Sequence, residues 1–225
     1  MAIAETQRHR GFFSTSNFSM LYTQEGRYVF KQKNHSMDFI VALSACCLFS
    51  PVILLVGLIL FVRYEKPVFY HEKRCGLHGK PFTLYKFKTL QRQACRASSS
   101  QDMANRINKN NTPQTCCGRL CGLLRKYSID ELPQLWNILI GDMAVVGPRP
   151  MPFEELQYRF GSDAAKILSV RPGLTGLWQV SGRNDLSQED RRRLDLFYIQ
   201  NQSAALDIRI ILKTVGAVLS GRGAY

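Results

Sequence analysis

A mostly helical protein with one small β-hairpin, attached to a membrane through a single long apolar segment, is the fold class that this sequence predicts. Three observations carry that reading. Phe39 to Val62 is an uninterrupted run of 24 residues without a charge, FIVALSACCLFSPVILLVGLILFV. Two aromatic and β-branched stretches flank a short link that carries Gly76 and Gly79. Further on, leucines recur at helical spacing in segments that end at glycine or polar clusters.

Residues 1–33 are polar and mixed, with Arg8, His9, Arg10, Ser14, Thr15 and Ser16 near the start, and a flexible arm is expected there. Residues 34–64 form the membrane segment. At about 1.5 Å per residue its uncharged run makes a helix of roughly 36 Å, against a hydrocarbon layer of ~30 Å. Ser50-Pro51 lies at the centre. Pro51 cannot donate to the Cys47 carbonyl, and each half alone, about 18 Å, is too short to span. Two topologies follow: a kinked helix that crosses, with Ser50 or neighbours satisfying the freed carbonyl, or a V that enters and leaves by one face. Arg27, Lys31 and Lys33 precede the run, and Arg63, Lys66, Lys73, Arg74 and Lys80 follow it. Basic residues on both sides suit the second topology.

Residues 65–225 form the remaining domain. PVFYHEKR and KPFTLYKFKTL, joined by Cys75-Gly76-Leu77-His78-Gly79, read as a hairpin in which Lys86 and Lys88 face the same way. Gln91–Thr115 is polar and reads as a loop. Leu120, Leu123, Leu124 and Tyr127 mark one helix face. Leu132, Leu135, Trp136 and Leu139 mark a second, stopped at Gly141. The tail from Leu194 to Leu219 reads as helical and suited to lie flat at an interface.

The charge balance is lopsided, with 30 Lys and Arg against 17 Asp and Glu for a formal +13, which points to anionic partners. Seven cysteines, Cys46, Cys47, Cys75, Cys95, Cys116, Cys117 and Cys121, follow no cleavable signal, so a reduced, cytosol-facing chain is expected. Neither Cys116-Cys117-Cys121 nor the scattered histidines complete a zinc site. Dinucleotide fingerprint, Walker loop and Gly-x-Ser-x-Gly elbow are all missing from the sequence.

Asp130-Glu131 precedes the Leu132–Leu139 helix, and Pro133 fits a first turn. Asp130 would then be the N-cap and Glu131 would complement the helix dipole. The same position suits phosphate chemistry, with Asp130 ionised and able to attack phosphorus. Spacing alone leaves both readings open. Arg125, the rigid turn Gly147-Pro148-Arg149-Pro150, and Lys86 supply cations suited to phosphate. Arg171-Pro172-Gly173-Leu174-Thr175-Gly176 is a compact turn, and Trp178 after it is either core or an interfacial anchor.

The stretches RCGLHGKPFTLYKFKTL, LRKYSIDELPQLWNILIGDMAVVGPRP, RPGLTGLWQVSGR and LDLFYIQNQSAALDIRIILKTV resemble, in order, the bacterial sugar transferases, the monotopic phosphoglycosyl transferases. The likeness covers about residues 36–215. It implies a monotopic membrane protein with a re-entrant helix hairpin broken at Ser50-Pro51, at the cytoplasmic face of a bacterial inner membrane. It further implies transfer of a sugar-1-phosphate from a UDP-sugar to polyprenyl (undecaprenyl) phosphate with release of UMP, an early membrane step of exopolysaccharide, capsule or O-antigen synthesis. The Asp-Glu pair at Asp130 and Glu131 would work with Mg²⁺, Asp130 attacking the sugar-bearing phosphate and Glu131 assisting with metal or proton. Lys86, Arg125 and Arg149 match the family's basic positions and are assigned to phosphate. Membrane lipid is the further partner; nucleic acid is not, and a homodimer stays open. One departure is Lys88, where the family usually has Arg. The four-helix segment of longer members does not precede this domain, so a short form is expected. The alternatives are one-step transfer with Asp130 only a metal ligand, and a basic membrane adaptor without activity.

Overall fold

The computed structural model describes residues 35–63, 67–89 and 118–221. The expected arm at 1–33 and the Gln91–Thr115 loop lie outside the described residues. The fold is mostly helical with two small two-stranded sheets.

Helix α1 runs His35–Arg63, 29 residues without a break. Its hydrogen-bonding register continues through Pro51. Ser50 Oγ donates to the Cys47 carbonyl at 2.9 Å, the very acceptor that proline leaves without an N–H. Asp38 and Ala42 near one end of the helix and Val56 and Leu60 near the other are buried, and most of its remaining side chains are exposed. Ala42 packs against a cluster containing Phe82, Leu84, Leu135 and Ile138, while Val56 and Leu60 pack against Phe87, Cys121 and Leu124. Asp38, 2% exposed, accepts from the Val145 N–H at 3.1 Å. Leu48, at 72% exposure, and Leu54, at 73%, flank the Ser50-Pro51 step. Both ends of one apolar helix therefore touch the same folded domain, and Leu48, Leu54 and Leu55 face outward from its middle.

Strands β1 (Phe69–Cys75) and β2 (Pro81–Phe87) form the expected antiparallel hairpin, in register from Phe69↔Phe87 to Cys75↔Pro81. His78 and Gly79 take left-handed φ of 52° and 75° to close its turn. The strand proper stops at Phe87, and the pairing carries on for one more step, where Lys88 N–H donates to Val68 O at 2.8 Å.

Helix α2 spans Gly118–Lys126 and α3 spans Gln134–Leu139, with a 3₁₀ turn at Ile129–Glu131 between them. Two expectations are corrected here. Asp130 is not an N-cap: it sits inside the 3₁₀ turn, and the helix begins after Pro133. The reason is chemical. An N-cap side chain needs the N–H two or three residues on, and Pro133 has none, so the chain tightens into i→i+3 bonds from Glu131 to Ser128 and from Leu132 to Ile129. Trp136 is not on the buried face either, being 58% exposed. The fully buried neighbour is Asn137, whose amide donates to Thr83 O at 2.7 Å and accepts from Tyr85 N–H at 3.2 Å. Satisfying an amide and the β2 backbone at once fixes the rotation of α3 and turns the indole outward. In α2 the buried residues are Cys121 and Leu124, whereas Leu123 is 50% exposed.

Strands β3 (Ala144–Val146) and β4 (Gly173–Thr175) pair in parallel, a sheet that the sequence reading left as separate turns. Helices α4 (Phe153–Phe160), α5 (Ala164–Ile167) and α6 (Leu177–Val180) surround it. The tail is helical as expected, in two helices, α7 (Gln188–Gln200) and α8 (Ala204–Ser220). Ser203 starts the second by accepting from Leu206 N–H at 3.3 Å. The Tyr198 hydroxyl lies 2.9 Å from Val146 O and 2.8 Å from Asp207 Oδ1, which joins α7, β3 and α8. Ile208, Leu212, Val215 and Leu219 form an exposed apolar stripe along α8.

Candidate active site

The 3₁₀ turn presents Asp130 and Glu131 to a cleft of about 930 Å³. Two elements converge on Glu131. Lys86 Nζ, from β2, lies 2.7 Å from Glu131 Oε1, and Arg149 Nη2 lies 3.2 Å from the same oxygen. Lys86 is placed by the strand, and the strand is clamped to α3 by Asn137. Arg149 is placed by backbone contact. Gly147 N–H donates to Thr175 O at 2.9 Å and Gly173 N–H donates to Pro148 O at 2.8 Å. Glycine is required at this crossing: a Cβ on Gly147 would fall 2.6 Å from Arg171 O, and one on Gly176 would fall 2.5 Å from Gly147 O. The two turns seen in sequence are thus one Gly-to-Gly junction that aims Arg149.

The two carboxyls are tuned in opposite directions. Burial pushes Glu131 up, but the Arg149 and Lys86 charges outweigh it and hold the group at about 2. Burial pushes Asp130 up to about 6, helped by the neighbouring Glu131 charge and only partly countered by Lys86 and Arg149. Ion pairs this enclosed add little net stability. Their effect is positional: one carboxylate is locked in place, and the other is left short of positive charge.

Arg125 lines the same cleft, with its Nε buried and unpartnered. All five sequence candidates around the chemistry therefore meet at one site. Sequence reasoning missed Arg74, Arg159, Arg183 and Arg191, which line it too. Of these, Arg74 and Arg183 carried a signal in sequence, standing at the ends of the family-like stretches RCGLHGKPFTLYKFKTL and RPGLTGLWQVSGR. Trp178 is 6% exposed beneath the Arg191 guanidinium, 4.9 Å from its ring centre, so it is not an interfacial anchor. The walls differ in kind from the floor. Val41, Ala45, Phe49 and Val52 of α1 line one side and Val215, Val218 and Leu219 of α8 another. A polar, cation-rich floor with apolar walls suits a phosphate carried on a hydrocarbon tail. Among the described residues no three His, Cys, Asp or Glu side chains converge as a metal cluster.

Comparison with known proteins agrees with this arrangement. The family model for bacterial sugar transferases matches residues 29–221. Exopolysaccharide production protein ExoY of Rhizobium meliloti is 40% identical over 200 residues, covering 84% of this chain and 87% of that protein. The undecaprenyl-phosphate galactose phosphotransferase of Salmonella typhimurium is 41% identical over 169 residues, covering 71% of this chain but 35% of that larger protein. The UDP-glucose:undecaprenyl-phosphate glucose-1-phosphate transferase of Caulobacter vibrioides is 36% identical over 197 residues, covering 84% of this chain and 70% of that protein. The match spans the membrane helix, the Asp130-Glu131 turn and the glycine junction together, and the chain belongs to the bacterial sugar transferase family.

Proposed function

We propose that this transferase moves a sugar-1-phosphate from a UDP-sugar to polyprenyl phosphate in two displacements, at the cytoplasmic face of a bacterial inner membrane. The observation that carries the reading is the pairing of a locked Glu131 with a charge-poor Asp130 on a floor of cations between apolar walls. The names of the Salmonella and Caulobacter relatives support the donor and the acceptor.

In the first displacement an Asp130 carboxylate oxygen attacks the phosphorus attached to the sugar. The diphosphate bridge breaks, UMP leaves with the bridging oxygen, and a phosphosugar is left on Asp130. In the second, a phosphate oxygen of the polyprenyl carrier attacks that phosphorus and Asp130 leaves as carboxylate. One diphosphate linkage is exchanged for another, so no further energy source is needed. Lys86, Arg125 and Arg149 bind and orient the phosphates, where charge neutralisation supplies most of the rate.

Mg²⁺ is the cofactor that the family resemblance implies, and the residues fit it. At Asp130 burial and the Glu131 charge outweigh Lys86 and Arg149, which leaves room for a further cation, and a Mg²⁺ site needs only one or two carboxylates completed by substrate phosphates. Asp130 and Glu131 would hold the ion, which would supply neutralisation of the diphosphate.

The re-entrant path of α1 belongs to the same proposal. A helix of 29 residues is about 44 Å long if straight. Its contact with one domain at both ends supports entry and exit on one face, with Ser50-Pro51 deepest.

The test is the nucleotide product. Purified protein given UDP-sugars, undecaprenyl phosphate and Mg²⁺ is expected to release UMP, and Asp130→Asn to release none. Release of UDP would identify a glycosyl rather than a phosphoglycosyl transfer and overturn the reading.

A further inference from the structure

Helix α3 shows different faces to different surroundings. Its leading end continues from Asp130-Glu131, Leu135 and Ile138 enter the core beside Ala42 of α1, and Asn137 holds β2. The remaining face carries Trp136 and Ile140, one turn apart and 58% and 51% exposed. A lone exposed apolar side chain is ordinary. This pair is not alone. Gly141, directly after Ile140, abuts the first turn of α1: a Cβ there would sit 3.6 Å from His35 Nε2. From that turn the bare apolar surface runs on over Met37 at 64%, Phe39 at 40%, Ile40 at 57% and Leu43 at 47% exposure. It is the opening stretch of the helix that the chain offers to lipid. Tryptophan is the side chain best suited to the boundary between hydrocarbon and headgroups, and a basic chain of formal charge +13 suits an anionic leaflet.

We propose that Trp136 and Ile140 seat in the boundary of the leaflet that receives α1, and that this contact sets the height of Asp130-Glu131 above the hydrocarbon. The lever is short. Glu131 precedes α3 by two residues, and Asn137, beside Trp136, ties the helix to the strand that carries Lys86. A second copy of the chain is the competing occupant. Two side chains on a six-residue helix fall far short of the roughly 800 Å² per partner of a stable interface, whereas lipid needs only continuity with α1. The lipid contact stands apart from the reaction; the height rests on the transfer reading above.

The chain has two tryptophans, and Trp178 is enclosed. The full-length protein is placed in phosphatidylcholine and phosphatidylglycerol vesicles whose acyl chains are brominated near the headgroup. Emission is expected to be quenched in the wild type, and the quenchable part to vanish in Trp136→Phe. Unquenched wild-type emission, or equal quenching in Trp136→Phe, overturns the lipid contact. So does an unquenched Trp136 whose replacement changes the oligomeric mass, which would assign the face to a second copy. For the height, Trp136→Glu in vesicles is expected to slow transfer to the lipid acceptor about tenfold or more, since misplacement by an ångström is costly. Formation of enzyme-bound phosphosugar from donor alone is expected to be unchanged. Equal loss of both steps overturns the height claim. Absence of any donor reaction in the wild type refutes the transfer reading and the height claim with it, while the lipid contact is still decided by quenching.

Discussion

Asp130 and Glu131 are adjacent carboxyls with opposite electrostatic surroundings, and most of the chemistry follows from that difference. With Asp130 pushed up to about 6 by burial and by Glu131, the carboxylate proposed to attack is protonated in acid and ionised above that value. Formation of the phosphosugar adduct is therefore expected to rise with pH through about 6, measured as initial rate at saturating donor. Lys86 lowers Asp130, so Lys86→Met is expected to move the rise to higher pH and to slow transfer by about 10²-fold, as loss of a preorganised charge does. A rise that stays in place would contradict the assignment. Asp195 offers a control away from the chemistry. It is 1% exposed, both carboxylate oxygens lack hydrogen-bond partners, and burial pushes it from 3.8 up to about 8, with Arg159 opposing. Its folded value exceeds its unfolded value, so the folded chain holds a proton that the unfolded chain releases. The contribution of Asp195 to stability is thus most favourable below about pH 4 and declines as pH rises towards 8. Asp195→Asn is expected to raise the unfolding free energy at pH 7.5, by on the order of 1 kcal/mol or more, and to have little effect near pH 4, measured by denaturant titration at each pH.

Among the elements, α1 and the glycine junction set the geometry. If α1 enters and leaves by one face, tags at the N- and C-termini of the chain are cleaved by protease from the same side of sealed vesicles. Cleavage from opposite sides would contradict the proposed path. The junction is tested by Gly173→Ala, whose Cβ would collide with the Gly147 backbone and displace Arg149. Overpacking of this kind costs about 1–3 kcal/mol, and transfer is expected to fall even where the protein remains folded. These elements also show how much was legible in sequence. The apolar run, the hairpin and the helical spacing were readable because each depends on local periodicity. The Ser50 bond to Cys47 was readable because proline removes a known donor. The β3–β4 sheet was not, since it joins segments 29 positions apart, Ala144 to Gly173, through strands of three residues each. The rotation of α3 was hidden for a related reason: Asn137 gains its partners from Thr83 and Tyr85, 54 and 52 positions away. The cleft's cations divide the same way. Lys86, Arg125, Arg149, Arg74 and Arg183 stood in stretches that match the family, but Arg159 and Arg191 reach the cleft only through tertiary packing.

At the scale of the whole molecule, the cleft joins two solvents. Its floor is charged and faces the Asp130-Glu131 turn, while its walls come from α1 and from α8, both of which expose apolar residues elsewhere along their length. In the proposed reaction a phosphate on an isoprenoid chain meets the floor at headgroup level without either partner crossing the bilayer. The surplus of cations, +13 over the chain, draws both anionic substrates and anionic lipid to that level. Such an arrangement accounts for a water-soluble donor and a lipid acceptor sharing one carboxylate. The most direct measurement is the intact mass of the purified protein after exposure to a UDP-sugar and Mg²⁺ with no lipid acceptor. The account predicts a gain of one phosphosugar, carried on the peptide that contains Asp130 and discharged when polyprenyl phosphate is added. An unchanged mass in a preparation that still turns over with both substrates would contradict it.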